Sequence, residues 1–194
     1  HLLYVGLDTG RGEIPLSLRN QVWEVLRPLT MDPDPRPEQE AAREGSGLQS
    51  LSINSVRGEA LHAVVKYGLW LRRDMEEREE NERLDAGFAE MPEVREVLDD
   101  HLDITRDPSL AIRAVYGQWL PWLVLLDTAW VERTLLLIFP EAPHQVKYWW
   151  AAWRTYVTMS PPYDATFELI RDAYGRALDV MGMSGDEDDG PNQA

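Results

Sequence analysis

Apolar residues return along this chain every three or four positions, and proline and glycine interrupt them at intervals; that rhythm predicts helices from end to end. Leu18, Val22, Val25, Leu26 and Leu29 share one helical face, which predicts a first helix over residues 17–29. The run Asp32-Pro33-Asp34-Pro35-Arg36-Pro37 then excludes regular structure, because each proline fixes φ and removes an N–H donor. Gly45-Ser46-Gly47 closes the resulting long loop. Asn54 is placed to cap the clearest helix of the chain. On that helix Val56, Ala60, Ala63, Val64, Tyr67 and Leu71 form one apolar stripe, and Leu61, Val65 and Leu69 form a second. Ser55, Glu59, His62, Lys66 and Arg73 are left as a narrow polar strip that should face solvent. A helix with two apolar stripes belongs between layers of neighbours.

Residues 74–85 are almost purely charged and read as a solvated helix extension or a linker. Pro92 opens a helix through Val94, Val97, Leu98 and Leu102, and Asp107-Pro108 supplies a cap and a first-turn proline for the next. That next helix is nearly all apolar, and Pro121 should kink or split it. Thr128 to Phe139 (capped by Asp127), Pro143 to Met159 and Pro162 to Met181 complete the set. The last carries a stripe of Tyr163, Phe167, Ile170, Tyr174, Ala177, Leu178 and Met181, with Asp172 and Arg176 paired outside it. Only a few residues near Leu2–Leu7 alternate with a period of two. The expectation is an all-α chain of about seven helices in two-layer antiparallel hairpins. Residues 1–50 form an N-terminal helix and proline-rich loop, 51–182 the helical domain, and 183–194 a disordered acidic tail.

Charge narrows the function. There are 34 acidic against 19 basic residues in 194, a formal charge of -15. Neutralising phosphates needs clustered lysine and arginine, so a nucleic-acid surface or adhesion to anionic lipid is disfavoured. The chain has no cysteine, which removes disulfides, thiolate nucleophiles and cysteine-bound zinc and fits a reducing cytoplasm. The longest apolar stretch, Val115–Leu126, is too short to span a bilayer. The start at His1 lacks an initiating Met and reads as a cut inside a longer polypeptide, or as a trimmed terminus.

Candidate chemistry is sparse. Asp99, His101 and Asp103 lie at i, i+2 and i+4 and do not share one helical face as metal ligands would. His62 reads as solvent-facing between Glu59 and Lys66, and His144 sits at a helix start. No phosphate-cradling glycine loop, nucleophile elbow or His-Glu-x-x-His motif is present. No catalytic residue, metal ligand or cofactor site is therefore expected. The unusual feature is tryptophan, eight in all. Core packing is the plain explanation, but Trp119, Trp122, Trp149, Trp150 and Trp153 are also candidates for a partner-binding surface, where tryptophan is enriched. Trp149 and Trp150 are adjacent and point about 100° apart, so only one of them serves as an exposed anchor.

Two blocks resemble one another. Ser55-Val56-Arg57-Gly58-Glu59-Ala60-Leu61 and Ala111-Ile112-Arg113-Ala114-Val115-Tyr116-Gly117 share a β-branched residue, an arginine, then small and apolar residues, and Asp107-Pro108 precedes the second. This arrangement resembles the second helix of a HEAT-type repeat, over residues 50–181, and the first block departs from it by carrying Leu51 where the aspartate belongs. The resemblance implies a HEAT-like α-solenoid fragment in which Arg57, Asp107 and Arg113 tie inter-helix turns to the next repeat. The segment from Tyr148 through Ser160-Pro161-Pro162 to Arg171 is also similar to helical regions of large bacterial multidomain proteins of anti-phage defence type. That likeness implies a non-catalytic scaffold contacting a protein partner or neighbouring domains of a longer chain. The rival classes are a small helical metal-dependent hydrolase built on clustered carboxylates, and an acidic inhibitor that imitates nucleic acid.

Overall fold

Helix ends in this protein are set by proline and by carboxylates, and some of the carboxylates come from far along the chain. The computed structural model describes residues 6–8, 12–42 and 47–185, with side chains through Asp179. Among these residues it is all-helical, with eleven α-helical segments and three short 3-10 turns. The expected disordered tail, 183–194, begins inside a helix that runs to Gly185, and its residues 186–194, like most of the alternating residues near Leu2–Leu7, lie outside the described residues.

A 3-10 turn at Leu16–Leu18 leads into α1 (Arg19–Thr30), which buries Val22, Leu26 and Thr30. The proline-rich segment is not wholly irregular, since Pro37 opens a short helix, α2 (Pro37–Ala41). A proline at the first helical position loses no hydrogen bond, so the feature that ends regular structure upstream starts it here. Next come α3 (Leu48–Ile53) and the long α4 (Val56–Glu77), which absorbs the start of the charged run. The rest of that run forms α5 (Asn81–Ala86). After a 3-10 turn at Gly87–Ala89, α6 (Pro92–Leu102) begins at the expected proline.

The centre is α7 (Leu110–Leu126), which runs unbroken through Pro121 and buries thirteen of its residues. It packs most extensively on α9 (Val146–Met159), then on α4, α3 and α8 (Thr128–Ile138). Pairs of residues in contact fix the helix directions. His62 meets Trp119 and Gly68 meets Leu126, so α4 and α7 run the same way. Arg113 lies against the Tyr148 ring and Gly117 against Ala152, so α7 and α9 do too. Between them α8 runs back, its Leu137 carbonyl reaching Arg113.

Three expected boundaries move. Asp127 caps α8 as expected, accepting from the Trp130 amide at 2.7 Å. Ser109, not Asp107, is the side-chain cap of α7, accepting from Ile112 N at 3.1 Å. Asn54 does not cap α4; it closes α3, donating to the Ser50 carbonyl at 2.7 Å. The stretch expected as one helix over 162–181 divides at Ile170 into α10 (Asp164–Leu169) and α11 (Arg171–Gly185).

Residues 1–161 and 162–194 are separate compact units. In the second, the Phe167 and Tyr174 rings meet at a tilt of 57° with their centroids 5.2 Å apart, Ile170 and Ala177 are buried, and Tyr163, Phe167 and Leu178 stay exposed, so the expected stripe is only partly covered. Among the described residues no helix is long and apolar enough to cross a membrane.

Candidate interaction site

The acidic, proline-rich loop does unexpected work. Asp34 accepts the Val56 amide at 2.8 Å through its carboxylate and the Arg57 amide at 2.8 Å through its carbonyl. It thereby satisfies the first donors of α4, whose own Ser55 hydroxyl has no hydrogen-bond partner among the described residues. Glu40 does the same for α7, accepting from the Leu110 amide at 3.0 Å, the Ala111 amide at 3.1 Å and the Ser109 hydroxyl. Both carboxylates sit at the positive end of a helix macrodipole, where an anion is favoured. Sequence spacing gives no sign of this, because the caps come from 22 and 70 residues away.

Beside these caps lies a buried charged cluster. Asp107 accepts from His101 Nδ1 at 2.6 Å and from the Ser109 amide at 3.1 Å, and it forms an ion pair with the Arg57 guanidinium, whose Nε stands 3.3 Å away without a hydrogen bond. Arg57 also donates to the Asp32 and Pro35 carbonyls. Arg113 is 1% exposed and donates to carbonyls in the last turns of two helices, Leu102 and Leu137, each at 2.9 Å. Burial holds its guanidinium below the usual arginine value. Arg57 and Arg113 lie in the first turns of α4 and α7, and Asp107 in the segment before α7. Asp107 itself is buried, 6% exposed.

His62 corrects an expectation. It is 1% exposed, not solvent-facing, because α4 is covered on the side that the polar strip occupies. The Trp119 indole donates to Nδ1 at 2.7 Å, so Nδ1 accepts and the ring proton sits on Nε2. Nε2 then donates to Ser52 Oγ at 3.0 Å, and that hydroxyl passes its own proton to the Gln49 carbonyl at 2.8 Å. Burial lowers the His62 pKa to about 4. In this tautomer His62 has no lone pair facing Ser52, so the pair is a structural link and not a nucleophile with its base. Lys66, from the same strip, is also buried, and pairs with Asp8.

The remaining titratable candidates disperse. Asp99 accepts the Trp130 indole at 2.7 Å, His101 faces Asp107, and Asp103 turns to Thr105, whose hydroxyl and amide hold its carboxyl below the usual range. Among the described residues no group of three or more histidines and carboxylates is placed to hold a metal ion.

The tryptophans separate into core and surface. Trp119, Trp149 and Trp153 are buried, and Trp149 stacks on Trp153 at 5.4 Å with the rings 16° apart. Trp122 is 42% exposed on α7. Trp150 meets the edge of Trp149 at 4.9 Å and 82°, which fixes its ring on the wall of a cleft of about 460 Å³ between α3 and α9. Leu48, Leu110 and Ala151 give that cleft an apolar floor, and Lys147 and Arg154 stand at its rim. Among the described residues that line it, none is acidic. Leu110 and Lys147 also line a second depression, of about 570 Å³, over Pro33, Pro35 and Pro37. No protein-family model, curated protein or solved structure matches this chain.

Proposed function

We propose that the chain is a non-catalytic helical scaffold, built as a two-layer, HEAT-like stack of helices, that holds a protein partner or a neighbouring domain in the Trp150 cleft. One layer is α4, α7 and α9, which run the same way; α1 and α6 pack on α4, and α8 packs on α7. The observation that carries the reading is the contact of Arg57 with Asp107 at 3.3 Å. It joins the arginine of one block to the aspartate that precedes the other, as the HEAT resemblance leads one to expect. Its supporting companion is Arg113, which closes the ends of α6 and α8 onto α7. The buried polar groups act on the chain's own carbonyls and helix ends, and a solenoid offers its partners an open surface.

The test is site-directed photocrosslinking in cells that make the protein. Trp150 is replaced by p-benzoylphenylalanine, with exposed Glu132 on α8 as the control position. The expected result is a specific protein adduct from position 150 and none from 132, followed by loss of binding of that purified partner when Trp150→Ala is introduced. The same adducts from both positions, or none from 150, would overturn the proposal.

A further inference from the structure

A cleft of about 740 Å³ opens between α1 and α6, and His101 forms part of its wall. The ring is buried, 6% exposed, yet half of its hydrogen-bonding capacity is idle. Nδ1 lies 2.6 Å from the Asp107 carboxylate, which can only accept, so Nδ1 carries the proton and Nε2 of the neutral ring is an acceptor. No described residue donates to Nε2, and the atom is shielded from solvent. His101 lines the cleft and Asp107 does not, so the idle lone pair, pointing away from Asp107, belongs to the side of the ring that the cleft adjoins. A buried acceptor without a donor is unfavourable, and an occupant that donates to it relieves that cost.

The charges around the cleft are largely matched, with one exception. Among the described lining residues Arg27 is the one lysine or arginine, and it donates to Glu96 at 2.9 Å. Asp100 is paired with Arg106. Glu24 is exposed and makes no ion pair with a described residue, which leaves one carboxylate over. Thr30 has turned its hydroxyl proton to the Arg27 carbonyl at 2.8 Å. Apolar surface comes from Val97 and from Trp23, whose ring is held against Tyr67 with centroids 5.1 Å apart. An occupant therefore meets a bare imidazole nitrogen, an unmatched carboxylate and an aromatic ring, with the Trp23 N–H as a neutral donor beside them.

We infer that this cleft binds a small organic cation, a primary ammonium on an aromatic or aliphatic body. The ammonium donates to His101 Nε2, reaching it by parting the wall at the ring edge, and Glu24 offsets its charge. The apolar body lies against Trp23 and Val97, and the indole face favours a cation as well. An anion would meet a lone pair and a free carboxylate, and a neutral molecule would leave Glu24 unmatched. The volume falls in the range of pockets that enclose small ligands. No described residue lines both this cleft and that of Trp150, so the inference does not rest on the scaffold reading.

Calorimetric titration of the full chain with phenethylamine, phenethyl alcohol and hydrocinnamate separates charge from shape. Saturable binding of the amine is expected, about tenfold or more tighter than that of the alcohol, with none for the carboxylate. His101→Asn keeps a donor for Asp107 and removes Nε2, and should weaken the amine about tenfold. Glu24→Gln, on the surface, should weaken it about threefold. Circular dichroism confirms that each variant is folded. Nitrogen NMR of the unaltered protein decides the matter even where His101→Asn does not fold: the His101 Nε2 resonance should move as amine is added, and those of His62 should not. No saturable amine binding at millimolar concentration overturns the inference. So does equal binding of hydrocinnamate, a folded His101→Asn that binds the amine as well as the parent, or binding that leaves the His101 nitrogen unmoved.

Discussion

His62 is neutral in the folded chain because two neighbours and its burial leave a second proton nowhere to go. Its folded pKa, about 4, lies below the ordinary histidine value of 6.5. A depressed base gives stability that is fully present above the unfolded pKa and is lost as pH falls through the interval between the two. From this residue alone the protein should lose about 2 kcal/mol between pH 7 and pH 5, and about 3 kcal/mol by pH 4. Urea unfolding at both pH values measures it, with His62→Gln as the reference. Glutamine can accept from the Trp119 indole and donate to Ser52, but it does not titrate. The variant's stability should therefore vary less with pH; an equally steep loss in both proteins would mean that His62 is not the titrating group. The sequence placed His62 in solvent because its polar neighbours continue a strip along the helix. Whether a polar residue is buried depends on the partner it finds, and Trp119 is 57 positions away.

At the scale of elements, periodicity read well wherever a helix has one covered face. The positions of α1, α6, α8 and α9 follow from their apolar spacing and flanking prolines, and the Asp127 cap was legible because capping is local. At α7, where Pro121 was expected to kink or split the helix, the helix is not split. Covered on nearly every side, α7 continues past Pro121 even though one backbone donor is missing. The closest of those neighbours is α9. A Cβ placed on Gly117 would lie 2.0 Å from the Ala152 carbonyl oxygen, so the two backbones touch and only glycine fits. Gly117→Ala should destabilise by about 3 kcal/mol, since a backbone carbonyl cannot turn aside as a flexible side chain can. Gly175→Ala is the counter-example, because nothing lies within 4 Å of the added carbon. There alanine should stabilise α11 by about 0.5–1 kcal/mol through helix propensity. Thermal unfolding reads the first change, and amide hydrogen exchange along α11 reads the second. A loss of similar size at both sites would refute the argument from backbone contact.

At the scale of the first compact unit, one carboxylate connects segments that the sequence separates widely. Asp107 meets Arg57 at the start of α4, His101 at the end of α6 and the Ser109 amide that opens α7, and Arg57 in turn holds the Asp32 and Pro35 carbonyls. The proline-rich loop is thereby fastened from both sides, since Asp34 and Glu40 already sit on the helix starts. The repeat resemblance pointed to Arg57 and Asp107 one at a time. It did not foresee that the loop before α4 would complete the cluster, because loop carbonyls leave no mark in a periodic pattern. Removing one member of a buried charged set leaves the others without compensation, so Asp107→Asn should cost about 3 kcal/mol or more. The cost belongs to the contact and not to either residue alone. Arg57→Met by itself should destabilise, but in the Asp107→Asn background it should cost at least about 1 kcal/mol less, a coupling typical of direct neighbours. Hydrogen exchange supplies the spatial readout: the Val56 and Arg57 amides, protected by Asp34, should exchange faster in Asp107→Asn while amides in the middle of α9 keep their ranking. Strict additivity of the two substitutions, with no change at Val56 and Arg57, would show that the loop and the helix ends are held independently.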